Sequence, residues 1–375
     1  MIYLDYSATT PVNEEVLNSF IGATKKYLGN PNSLHKLGVE GNHLINMSTE
    51  QIKKVLNVND VDVIYTSGAS EANNTALKGI AFTYSNRGKT IITTKLEHSS
   101  INEPIKFLEK NGFNIEYVKL NSDGTVDLDN LEELMTEDVI LVSSCAVNSE
   151  LGIRQPIEEI GKLLTKYNKC YFHVDMTQAI GKVKIDLSNV DLFSFSAHKF
   201  YGIKGIGALI KKSKIIIEPL IHGGKSTTLY RSGTPSLELI VSMAKAIRLI
   251  YDNIDSNNKY VANLNNQLKN ILSNYDKVSI NSNEKCIPHI LNISILGVKP
   301  ETFLHALEEH NIYISTKSAC SSNSSISDTV YEITKDSEKA SHSIRISLSY
   351  LTKEEDIKIF KEVFDKCYKE LTSLR

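Results

Sequence analysis

The stretch SFSAHKFYG, residues 194–202, decides how this chain is read. A strand-like apolar run over 190–195 stops at Ser196, His198 and Lys199 follow at once, and the glycine-broken GIKGIGALI comes next. Taken alone, such a stretch is most often a solvated strand end. The alternative is a lysine carried out of a buried strand so that its amine can act as a nucleophile. The rest of the chain decides between them.

A chain of 375 residues suits two or three ordinary domains, or two lobes around one site. With 41% hydrophobic and 23% charged residues it reads as a soluble globular protein able to bury a sizeable core. The net charge of −2 gives no electrostatic reason to expect nucleic acid or an anionic membrane as partner. IKKSKIII (210–217) sets its lysines among apolar residues and reads as strand ends or solvated turns. No run of about 18 apolar residues occurs, so no membrane span is expected. MIYLDYSATTP lacks the basic start and apolar centre of a signal peptide. The cysteines (Cys145, Cys170, Cys286, Cys320, Cys367) are odd in number and form no Cys-x-x-Cys pair. That argues against a disulfide framework or a zinc site, and for a reducing cytoplasm; no metal is expected.

Through the central two-thirds, β-rich runs alternate with helical patterns. Strands are expected at VDVIYTS (61–67), TIITTK (90–95), NIEYVKL (114–120), VILVSSCAV (139–147), YFHVDM (171–176) and LFSFSA (192–197). Helical spacing between them includes Leu131–Met135 and PIEEIGKLLTKYN (156–168), where Ile157, Ile160, Leu163 and Leu164 share a face. The alternation implies an α/β fold with a mostly parallel sheet covered on both faces, and ligands beyond the C-terminal strand ends. From about 236 to 274 the pattern becomes one long helical stretch, suited to linking two lobes. Strands return at HILNISIL (289–296) and HSIRISLSY (342–350). A last amphipathic helix spaces Ile357, Phe360, Phe364, Cys367 and Leu371 so that Cys367 reads as core filler. SACSSNSSISD (318–328) reads as a serine-rich flexible loop.

Four strand ends carry chemistry. TSGASEANN (66–74) puts Gly68, Ala69 and Ser70 where a strand turns into a helix, whose N–H groups suit a phosphate; a plain N-cap is the equal alternative. TTKLEHSS (93–100) delivers His98. HVDMTQ (173–178) delivers Asp175 and Gln178, the acid being either a helix cap or the partner of a pyridinium nitrogen. SFSAHK delivers Ser196, His198 and Lys199. A lysine, an aspartate, a planar histidine and a phosphate cradle at one sheet edge match the needs of pyridoxal phosphate. Lysine forms a reversible Schiff base with its aldehyde, and a carboxylate keeps its ring nitrogen protonated. An aromatic ring stacks on the pyridine, while hydroxyl and N–H groups hold the phosphate.

With these segments in place, the chain resembles the NifS/IscS-type cysteine desulfurases, a branch of the class V aminotransferases with the fold-type I PLP-dependent transferase architecture. The resemblance runs end to end. It includes YLDYSATTP (3–11), GNPNS (29–33), TSGASEANN, EHSS (97–100), VNSELG (147–152), HVDMTQ, SFSAHKFYGIKGIGAL (194–209), RSGT (231–234), SAC (318–320) and SIRISL (343–348). It implies a large domain at about 12–250 with a mostly parallel seven-stranded sheet. A smaller α+β domain made of 1–11 and 251–375 would carry the catalytic cysteine loop. By this resemblance Lys199 bonds the cofactor and later moves protons, His98 stacks on its ring, Asp175 pairs with its nitrogen, and Gln178 bonds its phenolic oxygen. Ala69, Ser70, Ser196 and His198 hold the phosphate, joined by Thr234 from a neighbouring copy, which implies a homodimer. Arg345 pairs with the substrate carboxylate, for which its bidentate fork suits it. Read without the resemblance, Arg345 is a strand arginine, for which a salt bridge is a somewhat better reading than a ligand contact. By the same resemblance Cys320 would take sulfur from L-cysteine, leaving L-alanine and a persulfide. That sulfur goes to a protein acceptor such as an iron–sulfur scaffold or a tRNA-thiolation protein.

The chain departs from the pattern in three places. Asn148-Ser149-Glu150 stands where the family usually has Asn-Asn-Glu, so the Ser149 hydroxyl either replaces the second asparagine at the phenolic oxygen or leaves that role to Gln178. HGGKSTTLYRSGT (222–234) replaces a glycine-rich run, and Lys317 stands where glycine is common. The rival readings are a selenocysteine lyase or other small-amino-acid enzyme on the same fold, and a non-catalytic sulfur-relay or assembly platform. Dependence on Cys320 separates the first rival. The presence of Lys199, Asp175, His98, Arg345 and Cys320 argues against the second.

Overall fold

The computed structural model of the chain describes residues 1–316 and 326–373. Strand β1 (Ile2–Tyr3) is followed by helices α1 (Glu14–Lys26) and α2 (Lys36–Leu56). Asn13 starts α1, its Oδ1 accepting from the Glu15 N–H at 2.9 Å. Glu14 and Glu15 in the first turn and Lys25 and Lys26 in the last each oppose the end of the helix dipole they meet. Strands and helices then alternate. They are β2 (Val61–Thr66), α3 (Ala69–Tyr84), β3 (Thr90–Thr93), α4 (Ser99–Lys110), β4 (Asn114–Tyr117), α5 (Leu128–Leu134), β5 (Val139–Cys145), α6 (Ile157–Leu164), β6 (Tyr171–Asp175), β7 (Leu192–Ser196) and β8 (Gly207–Lys212).

These strands form a seven-stranded sheet in the order β2-β8-β7-β6-β5-β3-β4. It is parallel except at β8, which runs antiparallel to both neighbours. Neighbouring side chains of one strand enter different cores, because a strand points alternate residues to opposite faces. Val63, Ile92, Val142, Phe193 and Ile210 pack with α2 residues such as Ile45 and Ile52. Ile64, Ile91, Leu141, Leu192 and Leu209 pack with Leu77 and Ile80 of α3 and Ile101 and Ile105 of α4. Burial on both faces is what the near-continuous apolar runs require.

IKKSKIII is a strand end followed by a turn, β8 stopping at Lys212 and Lys214 being exposed, but Lys211 departs from a solvated reading. Lys211 is fully buried, with Nζ 2.6 Å from Asp62 and 2.7 Å from the Ile215 carbonyl, and it lies 4.2 Å over the Tyr230 ring. It shares the inward face of Leu209 two residues earlier, so strand alternation rather than local charge decides its place. A carboxylate, a carbonyl and a ring face then satisfy the ammonium.

The long helical stretch is also corrected: it is two helices, α7 (Leu237–Asp252) and α8 (Ile254–Leu272). Asn253 breaks it, its Nδ2 donating to the Leu249 carbonyl at 3.2 Å while its own carbonyl accepts from Ser256 Oγ at 2.9 Å. The break lets α7 pack on the first core and α8 enter another. That second core is completed by β9 (Val278–Ile280), β10 (Ile290–Ile295), α9 (Pro300–Glu308), β11 (Ile312–Tyr313), β12 (Ser343–Ser347) and α12 (Glu354–Ser373). Two short helices, α10 (Asp328–Thr334) and α11 (Ser337–Ser341), precede β12. The antiparallel sheet runs β12-β10-β9, and β1 pairs in parallel with β11. Ile2 and Leu4 therefore lie in this core with Val261, Phe303 and Cys367. Cys367 is the core filler that its spacing predicted.

Candidate active site

The C-terminal ends of β2, β5, β6 and β7 open on one cleft of about 630 Å³. Residues 7–9 of the N-terminal segment and Arg345 of β12 close its other side. At the end of β7 a single 3₁₀ turn, Ala197–Lys199, carries Lys199 to the cleft. Its Nζ donates to the Ser7 carbonyl at 2.7 Å and the Ala8 carbonyl at 2.8 Å. Thr10 moors this turn, donating through both N and Oγ1 to the His198 carbonyl at 2.9 Å. Lys199 is thus held by the fold, and the solvated strand end is excluded.

Among the described residues no side chain caps α3, whose first turn, with its N–H groups, begins where Ala69 and Ser70 line the cleft. Glycine is needed beside this turn. A Cβ on Gly207 would lie 2.5 Å from the Phe195 carbonyl and 2.8 Å from Gly68 Cα, so only glycine lets β8 start this close. Ser196 and His198 border the same region, with His198 Nδ1 3.1 Å from Thr9 Oγ1. Burial, then Lys199 and Lys204, push the His198 pKa down to about 4, so it is neutral at physiological pH.

Asp175 ends β6, nearly buried, accepting from Asn73 Nδ2 at 2.9 Å and from the Thr177 N–H at 2.9 Å. His98 caps α4 with its own ring, Nδ1 accepting from the Ser100 N–H at 3.1 Å, and burial lowers its pKa despite the pull of Asp175. Gln178 donates to the Ser7 carbonyl at 2.9 Å while its Oε1 accepts from Lys182 Nζ at 2.9 Å. Ser149 lines the cleft and accepts through its carbonyl from Arg345 Nη1 at 2.9 Å. Arg345 Nη2 also pairs with Asp5 at 2.8 Å.

Thr234 is exposed and lies outside the cleft, on a neighbouring hollow of about 90 Å³ that shares Ser67 and Gly205 with it. Cys320 and Lys317 lie outside the described residues. Sequence reasoning missed Asn73, Glu97, Lys182, Asp5 and Ser7. Asp5, Ser7, Asn73 and Glu97 sit inside segments already singled out, but nothing local marked them as partners of distant residues. Burial, then Lys199 and Arg345, push Lys182 down to about 7.

Glu97 yields a pH prediction. Its carboxyl is buried, Oε1 accepting from Thr94 Oγ1 at 2.7 Å and the Cys145 N–H at 2.9 Å, and burial pushes its pKa up to about 7. The unfolded chain releases this proton near pH 4.5, so between there and about pH 7 the folded state binds more protons. The stabilisation is present at low pH and is lost as pH rises through that window, by about 3 kcal/mol at most. Glu97→Gln does not titrate, so its stability relative to the parent should improve between about pH 5 and pH 8. Urea denaturation of both proteins at both pH values tests this, and a constant difference refutes it.

A family profile described as aminotransferase class-V matches residues 2–360. The chain belongs to the class-V aminotransferase family. Among relatives, it is 39% identical to "Cysteine desulfurase IscS" of Clostridium botulinum (strain Kyoto / Type A2), covering 98% of this chain and 94% of that one. It is 38% identical to "Cysteine desulfurase IscS" of Dictyoglomus turgidum, covering 100% and 96%. A solved "NifS-like protein" superimposes with a TM-score of 0.91 at 34% identity, covering 99% of both chains.

Class-V membership implies pyridoxal phosphate, and the cleft fits it. Ser7 Oγ, Thr177 Oγ1 and Arg345 Nε are buried without a partner among the described residues, and all three residues line the cleft. Orphaned polar atoms around an amine, a carboxylate and an uncapped helix start are what a polar, phosphorylated ligand would satisfy.

Proposed function

We propose that this class-V protein is a cysteine desulfurase that uses pyridoxal phosphate and passes sulfur on through Cys320. The observation that carries this reading is the convergence of Lys199, Asp175, His98 and Arg345 on one cleft. The full-length likeness to relatives named cysteine desulfurase supports it.

When bound, the cofactor supplies an aldehyde that receives an amine and a ring that draws electrons from the adjacent carbon. Ala69, Ser70, Ser196 and His198 would hold its phosphate. Asp175 would meet the ring nitrogen, His98 the ring face, and Gln178 with Ser149 the phenolic oxygen. Arg345 would clamp the substrate carboxylate. Two of its nitrogens are already fixed by Asp5 and the Ser149 carbonyl, so the guanidinium is oriented before substrate arrives. Lys199 would take the proton from the substrate's α-carbon. The Cys320 thiolate forms an S–S bond as the substrate's C–S bond breaks. L-cysteine plus a thiol thereby become L-alanine plus a persulfide, and a protein acceptor takes the outer sulfur.

We also propose a homodimer in which Thr234 of one copy serves the site of the other, supported by its exposure outside its own cleft. The grouping of 1–11 with 251–375 as a second domain is supported by Ile2 and Leu4 packing with α8, α9 and α12.

Incubating the protein with L-cysteine and a reductant should release alanine and sulfide in equal amounts. A cofactor-loaded protein that makes neither would end this reading. A second expectation concerns Ser149: Ser149→Ala should weaken cofactor retention by about 0.5–1.5 kcal/mol, up to roughly tenfold, and Ser149→Asn should restore it. Unchanged retention in Ser149→Ala would leave the phenolic oxygen to Gln178.

A further inference from the structure

A chain of polar side chains crosses the sheet behind the cleft. On β5, Ser143 Oγ lies 2.9 Å from His173 Nδ1, and His173 Nε2 lies 3.2 Å from Ser194 Oγ on β7. The Ser194 hydroxyl donates to Asn73 Oδ1 on α3. The Asn73 amide nitrogen then donates twice, to Asp175 Oδ2 at 2.9 Å and to Ser100 Oγ at 2.9 Å. Ser100 meets His98 Nδ1 twice, through its hydroxyl at 2.9 Å and its backbone N–H at 3.1 Å. Asn73, His173 and Ser194 are fully buried, and Asn73 does not line the cleft.

Donor and acceptor capacities leave one direction for this chain. A backbone N–H can only donate, so His98 Nδ1 accepts and carries no proton. Ser100 Oγ accepts from Asn73, and because Nδ1 carries no proton, the 2.9 Å contact between them is the Ser100 hydroxyl donating to Nδ1. At the far end, Ser194 gives its proton to Asn73 and takes the Nε2–H of His173, whose Nδ1 accepts from Ser143. The Asn73 amide is kept from flipping by Asp175, because a flip would set its carbonyl oxygen against the carboxylate and break the bond that this oxygen accepts from Ser194.

We propose that Asn73 is a positioning residue that acts on two groups at once, anchoring the Asp175 carboxylate and, by bonding the Ser100 hydroxyl, orienting that hydroxyl toward the unprotonated Nδ1 of a neutral, Nε2–H His98. The inference rests on the proposed function only for what Asp175 and His98 face. A neutral His98 ring can lie against a cofactor whose ring nitrogen is protonated without like-charge repulsion. Burial of the imidazole acts in the same direction.

The test uses full-length protein with ¹⁵N-labelled histidine, His98 being assigned by comparison with His98→Gln. Long-range ¹H–¹⁵N correlation reads its tautomer, and adding pyridoxal phosphate to stripped protein reads the dissociation constant. The parent protein should show His98 only as the Nε2–H form. Ser100→Ala should shift the Nδ1 resonance while keeping the Nε2–H form, because the backbone N–H of residue 100 still donates to Nδ1, and affinity should hold within about threefold, since Asp175 keeps its partner. Asn73→Leu should move the His98 resonances and weaken cofactor binding about tenfold or more, as loss of a hydrogen bond to a charged group does. Ser194→Ala, which loosens the amide, should lie between them in affinity. If Asn73 merely packs, Asn73→Leu will lower the melting temperature and leave the His98 resonances and affinity at parental values, which overturns the proposal. Should Asn73→Leu not fold, unchanged His98 resonances in Ser100→Ala together with parental affinity in Ser194→Ala overturn it instead. A parent protein that binds no pyridoxal phosphate would refute the proposed function and leave the His98 readout intact.

Discussion

Lys199→Ala is expected to fold, to lose covalent attachment of the cofactor, and to lose at least about a thousandfold in turnover. Proton transfer by a positioned side chain is alone worth about 10²–10⁴-fold, and Lys199 is asked both to bond the cofactor and to move a proton. The fold should survive because Lys199 contributes to no hydrophobic core. The Ser7 and Ala8 carbonyls it now bonds border the cleft, where water can replace it. Borohydride reduction followed by peptide mapping should find the cofactor on the Lys199 peptide of the parent and nowhere in the variant. Parental activity in Lys199→Ala would sink the assignment.

Cys320→Ser should abolish sulfur transfer while leaving cofactor binding at the parental level, since Lys199, Asp175 and Arg345 are untouched. The other cysteines argue for Cys320 by their surroundings. Burial, aided by Glu97 and Asp175, raises Cys145 well above the ordinary thiol range, and burial raises Cys170, Cys367 and, to about 11, Cys286. A buried thiol that keeps its proton is a poor nucleophile. Mass spectrometry after a pulse of L-cysteine should therefore place the added sulfur on the Cys320 peptide. Sulfur on one of the other four, with Cys320→Ser fully active, would overturn the mechanism. The same assay removes the selenocysteine-lyase reading, which does not need Cys320 in every variant.

Much of this was legible before the structure. The strand runs ended within a few residues of their expected limits, and the residues at or just beyond their ends, His98, Asp175, Gln178, Ser196, His198 and Lys199, do border one cleft. Two readings fell short for a shared reason. The lysines of IKKSKIII were not expected to be buried, though the segment is the strand end and turn it read as, and 236–274 looked like one helix, because local composition was asked to decide burial and packing. Lys211 is buried by the strand it belongs to, and Asn253 breaks a helical pattern whose two halves serve different cores.

The amino-acid order by itself determined the α/β class, the strand ends and the residue types at them, since alternation, helical spacing and glycine-rich turns are local properties of a chain. Tertiary structure alone decided which distant residues hold those at the site. Asp5 reaches Arg345 across 340 positions, Ser7 receives Lys199 and Gln178, and Asn73 reaches Asp175 across 102. Such contacts depend on strand order and on the N-terminal segment crossing to pair with β11. Periodicity carries no record of either, because it reports which face a residue takes and not which neighbour that face meets.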